Sequence, residues 1–391
     1  MLYLNRLLSA AFDRGRKAFP AVLVTGPRQS GKSTFLRHAA SDAAYVSFDD
    51  PLERAFARED PNGLLDRFAG PVVLDEIQYV PELLPYLKMR IDADRTPGRF
   101  LLTGSQQFEL MRGITESLAG RVALLELLPF SERELHEHPE PLGDTVWLGG
   151  YPDPRLNPDA RALWLTSYIR TYVERDVRQV RDIQDLRTFE QFLALAATRH
   201  GQEFEKAGLA RACGVSQPTI ASWASVLAAS YVVHLLPSWH RNLGKRLIKR
   251  PKLYFIDSAL VCSLTRQPSA DAALAGPMGG ALLEGWVVAE TLKLFAAAGE
   301  RPRCFFWRSH DQLEVDLLIE LDGRVLPVEI KLTATPKSGH TKPLSRFRAL
   351  LGDEAEPGLL ICRVPERTAL PGGHTALPWR EWPALLAERL L

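Results

Sequence analysis

Short apolar runs recur along the first third of the chain, each separated from the next by a helix-length segment: AVLVT (21–25), AYVSF (44–48), PVVLD (71–75), RFLLT (99–103) and VALLELL (122–128). Continuous β-branched and Leu runs of this kind predict parallel strands buried on both faces. After Pro129 the pattern changes. LGGYPDPRLNP (148–158) is a Gly/Pro-rich connector, and amphipathic stretches from Ala160 to about Leu235 predict helices. A basic segment and a strand, KLYFID (252–257), follow. The last third begins near Ala270 with a helix, LLEGWVVAETLKLFAAAG, and continues with CFFWRS, LEVDLLIEL, VLPVEIKL and GLLICRV around turns such as Asp322-Gly323. This is a second α/β unit. The expected division is therefore 1–135, an α/β unit with a parallel sheet; 136–265, a helical region; and 266–391, a smaller α/β unit. No internal repeat or low-complexity tract is present.

Gly26-Pro27-Arg28-Gln29-Ser30-Gly31-Lys32-Ser33 fits GxxxxGK[ST], directly after the first expected strand and before a helix that continues through Thr34. Glycines let such a loop curl so that its N–H groups and the helix N-terminus face an anion. Lys32 would reach the β- and γ-phosphates of a nucleotide, and the Ser33 hydroxyl would ligand Mg²⁺. The third run ends in Asp75-Glu76. In such a site the first acid holds Mg²⁺ and the second polarises an attacking water, because phosphoryl transfer needs positioning and charge neutralisation more than covalent chemistry. The fourth run ends in Thr103-Gly104-Ser105-Gln106, with Ser105 a candidate polar sensor beside the γ-phosphate. The [NT]KxD pattern that reads guanine is missing, which favours ATP as the cofactor.

These spans, together with Leu102 to Arg121, resemble the AAA+ superfamily ATPase core of a large bacterial and archaeal family whose C-terminal domain has long lacked an assigned function. The resemblance extends over nearly the whole chain, through GGYP (149–152), Tyr172-Val-Glu-Arg-Asp-Val, GVSQPTI, KRLIKRPKLYFID, FWRS and EVDLLIE followed by EIK. It implies ATP hydrolysis, and it makes Arg121 or Arg112 a candidate finger acting on a neighbour's nucleotide in a homo-oligomer.

Leu209 to Trp223 reads as helix, glycine turn and second helix, capped by Ser216 with Pro218 in its first turn. This resembles a helix–turn–helix of winged-helix type, with Gln217, Thr219 and Ser222 facing outward toward DNA. The net charge of the chain, 48 basic against 47 acidic residues or +1, argues against a uniformly basic DNA coat. Yet residues 199–252 hold nine Lys or Arg and two acids, a local +7 that leaves the rest at −6. Lys245, Arg246, Lys249 and Arg250 are the cations expected to meet the phosphate backbone. A solvated charged face and a protein-binding surface remain the alternatives.

Asp316 and Glu329-Ile330-Lys331 form a D…ExK pattern on adjacent expected strands, the arrangement of the PD-(D/E)XK nuclease fold. Alternation puts Glu329 and Lys331 on one face, toward Asp316. Asp316 and Glu329 would hold Mg²⁺, Lys331 would orient water, and Glu284 on the preceding helix is a further candidate ligand. Such a fold can also be kept for binding alone.

With 391 residues, 46% apolar and 24% charged, the composition is that of a globular chain of two or three domains. Cys213, Cys262, Cys304 and Cys362 are far apart, without metal-site spacing, which suits a reduced cytoplasmic protein. No secretory leader or membrane span is expected. Three readings stand: an ATPase coupled to DNA binding, a nucleotide-gated switch for protein partners, and an active ATP-linked nuclease.

Overall fold

A computed structural model describes residues 3–105, 113, 114, 116–135, 140–173, 186–241 and 250–391. Arg112, Lys245, Arg246 and Lys249 lie outside the described residues.

The first five strands are β1 (Ala21–Thr25), β2 (Ala44–Ser47), β3 (Val72–Asp75), β4 (Phe100–Thr103) and β5 (Val122–Glu126). They form one wholly parallel sheet in the order β2-β3-β4-β1-β5. Its central strands β1, β3 and β4 are buried along their whole length, as their unbroken apolar runs require. One face packs on Ile77, Leu87 and Ile91, the other on Phe12, Phe35 and Leu36. Because β4 lies between β1 and β3, its C-terminal end separates the phosphate loop from the acids that end β3. Parallel strands thereby gather three sequence-distant segments at one sheet edge.

In the middle region, helices Leu186–Thr198, Lys206–Cys213 and Gln217–Ala229 enclose Phe189, Phe192 and Trp223. Gly214, at φ 67°, ends the second of these, and the Ser216 side chain accepts from Thr219 N to open the third. The helices do not continue to Leu235 as expected. Tyr231 turns the chain at φ 57°, and Val233–Leu236 becomes strand β7. It pairs with β8 (Lys252–Phe255), which also pairs with the two-residue β6 (Gln202–Glu203), giving the order β6-β8-β7.

The C-terminal unit has six strands: β9 (Cys304–Arg308), β10 (Glu314–Leu321), β11 (Arg324–Ile330), β12 (Leu359–Cys362), β13 (Thr368–Leu370) and β14 (His374–Pro378). Their order is β13-β14-β12-β11-β10-β9, with β9, β10 and β11 antiparallel and β11, β12 and β14 parallel. Helix Gly279–Ala298 is buried on nearly every side, being held between this sheet, β8 and the first unit. A helix apolar all round fits that central place.

Two charged residues of this helix are also buried. Glu290 Oε2 accepts from Ser131 Oγ at 2.7 Å and from Glu132 N at 2.9 Å, and Lys293 Nζ donates to Phe130 O at 2.9 Å. Phe130 N donates to Gly150 O, and Gly150 N donates to Asp257 Oδ2, both at 2.7 Å. A Cβ on Gly150 would lie 2.5 Å from Phe130 O, so the glycine pair of GGYP lets three segments meet. Among the described residues no helix is long and apolar enough to cross a membrane, and the four thiols are buried and unbridged.

Candidate nucleotide site and C-terminal acid cluster

The phosphate loop leaves β1 at Gly26, whose φ of 138° suits glycine and whose absent Cβ would stand 2.2 Å from Leu127 O. Gly31, at φ 91°, delivers the loop into helix Lys32–Ala39. The helix N-terminus and the curled loop amides make the anion cradle expected from Gly26 to Thr34. Lys32 Nζ folds over this cradle, donating to Pro27 O at 2.8 Å and Gly26 O at 3.2 Å. Ser30 is fully buried, and its hydroxyl has no hydrogen-bond partner. Arg6 fastens the loop from behind: it donates to Ser30 O at 2.9 Å and Leu128 O at 2.6 Å and pairs with Glu134 at 3.0 Å.

Asp75 organises the other side. Its Oδ1 accepts from Ser33 Oγ at 2.9 Å and from Thr103 Oγ1, and its Oδ2 accepts from Tyr45 OH at 2.5 Å. Burial and the neighbouring Asp75 carboxylate push the Tyr45 phenol up to about 12, so it remains a donor. Glu76 follows at φ 58°, ψ 46°, a left-handed conformation uncommon for a residue with a side chain. Its N–H is anchored on Thr103 Oγ1 at 2.9 Å. Backbone strain of this kind gathers at functional positions. Ser105, two residues past β4, is buried, with an unpartnered hydroxyl. The convergence of Ser33 and Asp75 supplies hard oxygen donors, the chemistry Mg²⁺ requires.

The middle region closes over the loop. Trp164 Nε1 donates at 3.0 Å to both Gln29 Oε1 and Asp153 Oδ2. A cavity of about 290 Å³ lies between them, lined by Tyr3, Leu4, Gly31, Thr34, Pro152 and Leu156 among others. Beneath the loop, Tyr231 OH lies 2.9 Å from both Thr25 Oγ1 and Glu126 Oε1. Arg121 is not brought to this site. It lies at the N-terminal end of β5, across the sheet from the loop, where Asp92 holds it through two bonds of 2.7 and 3.0 Å. Of the helix–turn–helix residues, Gln217 is exposed, Thr219 and Ser222 are half-buried, and Arg250 is exposed.

The C-terminal residues do meet. Asp316 Oδ2 accepts from Ile330 N at 2.9 Å and Lys331 Nζ at 3.1 Å, and Lys331 Nζ is 2.7 Å from Glu329 Oε1. Burial, then the nearby Asp316, raises the carboxyl of Glu329. However, Lys252 enters from β8, with its Nζ 2.8 Å from Glu284 Oε1 and 2.5 Å from Glu314 Oε1. It is also 4.0 Å from Asp316 Oδ1, and Tyr254 OH donates to the same Glu284 oxygen at 2.5 Å. Lysine ammoniums face the carboxylates of Glu284, Asp316 and Glu329, the residues expected to hold a metal: Lys252 meets Glu284 and Asp316, and Lys331 meets Asp316 and Glu329. Among the described residues no three acid or imidazole groups are set to hold a metal. Lys252, which contributes to the local positive charge of residues 199–252, is 2% exposed.

Several participants were missed in the sequence: Arg6, Tyr45, Tyr231 and Glu314. For Lys252 a signal was present. It opens an otherwise apolar strand two residues before Tyr254, so both side chains share one face.

A parallel sheet with this loop, the Asp75-Glu76 pair and the intervening Thr103 defines an AAA-type P-loop ATPase fold, which implies nucleotide binding. Residues 18–136 match the AAA domain family. Residues 140–271 and 279–382 match two domains of unknown function, DUF8612 and DUF4143. The chain belongs to the family of two uncharacterized proteins from Mycobacterium tuberculosis and Mycobacterium bovis, each 36% identical over 342 residues, or 86% of this chain and 76% of theirs. Among solved structures it is similar to a Walker-type ATPase of Pyrococcus abyssi, at 15% identity and TM-score 0.44 over 66% of this chain and 94% of that one. RuvB of Thermotoga maritima matches at 18% identity and TM-score 0.28 over 59% and 86%.

Proposed function

We propose that the chain hydrolyses ATP in a Mg²⁺-dependent reaction and couples its nucleotide state to a grip on DNA. The observation that carries the reading is the Asp75 carboxylate, which gathers Ser33, Thr103 and Tyr45 while Glu76 is held in a strained turn beside it. Lys32 and the loop amides would bind the β- and γ-phosphates. Ser33 and Asp75 would hold Mg²⁺, which when bound neutralises charge on the phosphate oxygens. Glu76 would orient the attacking water, Ser105 would face the γ-phosphate, and the cavity by Tyr3 and Leu156 suits the base. The finger role of Arg121 requires a homo-oligomer in which it leaves Asp92 for a neighbour's site.

The DNA part is supported by the helix–turn–helix with exposed Gln217, by its three-stranded sheet in winged-helix manner, and by the basic segment, whose local +7 becomes +6 once the inward-facing Lys252 is set aside. A cavity of about 1120 Å³ between that sheet and the C-terminal unit carries Arg250, Arg308 and Arg346 on its walls. The order of β9 to β12 supports a nuclease-like fold, whereas Lys252 among the acids favours its use for binding over cleavage. An ATPase assay with single-stranded, duplex, forked and four-way DNA tests the coupling. Replacing Lys245, Arg246, Lys249 and Arg250 with Ala should remove the stimulation. A nucleotide-gated switch for protein partners would be untouched by those changes.

A further inference from the structure

The carboxylates of Glu284, Glu314 and Asp316 converge on one point, and that point is occupied by an ammonium from another part of the chain. Lys252 Nζ is 2.8, 2.5 and 4.0 Å from their oxygens; Lys252 and Asp316 are buried, and Glu284 and Glu314 are half-buried. A buried ammonium persists only where carboxylates compensate it, and buried carboxylates need a cation in return. Burial by itself would lower the lysine's pKa, but Glu284, Asp316 and Glu314 hold it above the ordinary value. Beside this point Glu329, 4% exposed, leaves its Oε2 without a partner. The link continues outward, since Glu314 pairs with Arg308 at 2.7 Å and Arg308 with Glu203 of β6 at 2.5 Å. The cluster is thus shared between the β6-β8-β7 sheet and the C-terminal sheet.

We propose that Lys252 is the resident cation of the C-terminal acid cluster, and that it competes with a divalent metal ion for Glu284, Glu314 and Asp316. Docking of β8 and metal binding are then mutually exclusive. Withdrawal of β8 leaves three carboxylates facing one another, a set of hard oxygen donors suited to Mg²⁺ or Mn²⁺. This holds whether or not the cluster ever cleaves a phosphodiester.

The test is Mn²⁺ binding to the full, nucleotide-free chain, followed by the electron paramagnetic resonance signal of free Mn²⁺ and by Tm. Lys252→Met should gain one Mn²⁺ site per chain that wild type lacks, with a rise in Tm on Mn²⁺ addition. Both gains should vanish in Lys252→Met combined with Asp316→Asn. A folded Lys252→Met that gains no site overturns the proposal, as does a wild-type protein that binds Mn²⁺ equally tightly in an Asp316-dependent way. If Lys252→Met does not fold without metal, Mn²⁺ must restore its folding and K⁺ must not; failure of that rescue overturns the proposal as well.

Discussion

The hydroxyl of Tyr231 lies 2.9 Å from Thr25 Oγ1, the last side chain before the phosphate loop, and donates at the same distance to Glu126. One phenol from the turn before β7 therefore touches both β1, whose end carries the loop, and its neighbour β5. A shift of the loop on nucleotide binding would reach this phenol through Thr25 alone. Tyr231→Phe removes one half-buried hydrogen-bonding group, at a cost of about 1 kcal/mol or less in stability. Basal ATP turnover should persist while its stimulation by DNA falls. An unchanged stimulation, measured beside an unchanged Tm, would show that this contact transmits nothing.

Asp75 and Glu76 divide their work, and their substitutions should separate. Glu76→Gln should keep nucleotide affinity, measured by fluorescent-nucleotide titration, while turnover falls by about 10²–10⁴-fold. Asp75→Asn should weaken the Mg²⁺ dependence of both. Lys32→Ala should lose binding and turnover together.

Thr103 holds the strained turn by taking Glu76 N–H and giving its own proton to Asp75. Thr103→Val leaves both groups short of a partner, so stability should fall by about 1–3 kcal/mol. Glu76→Gly should act the other way, relieving the left-handed backbone by about 1 kcal/mol while abolishing hydrolysis. Denaturant midpoints together with turnover check the pair of signs.

The first unit was legible because its strands are continuous apolar runs and its chemistry sits at the strand ends, where spacing alone identifies Lys32, Ser33 and Asp75. Tyr45, Tyr231 and Glu314 were not legible, since each acquires its role from a contact across 30 or more residues that no local pattern encodes. Strand β7 was hidden by apolar residues that suit helix and strand alike. Lys252, whose Nζ meets Glu284 and Asp316, was not singled out because it closes a basic segment in which an inward-pointing lysine looks like its neighbours.

Glu132 gives a pH signature to the joint between units. Burial first, and the adjacent Glu290 second, raise its carboxyl from 4.5 to about 7. The folded state then holds a proton that the unfolded state has released, so the benefit is full below pH 4.5 and is lost as pH rises through about 7. Glu132→Gln should flatten the decline in stability over that interval by about 1–3 kcal/mol, as read from urea midpoints at successive pH values. An unaltered pH profile would mean that Glu132 is ionised throughout.

The most direct measurement is steady-state ATP turnover at low salt with single-stranded, duplex, forked and four-way DNA, in the wild type and in the Lys245, Arg246, Lys249 and Arg250 alanine variant. The account predicts stimulation by at least one DNA form, decline of that stimulation with added salt, and its loss in the variant with basal turnover retained. Equal turnover with and without every DNA form would contradict it.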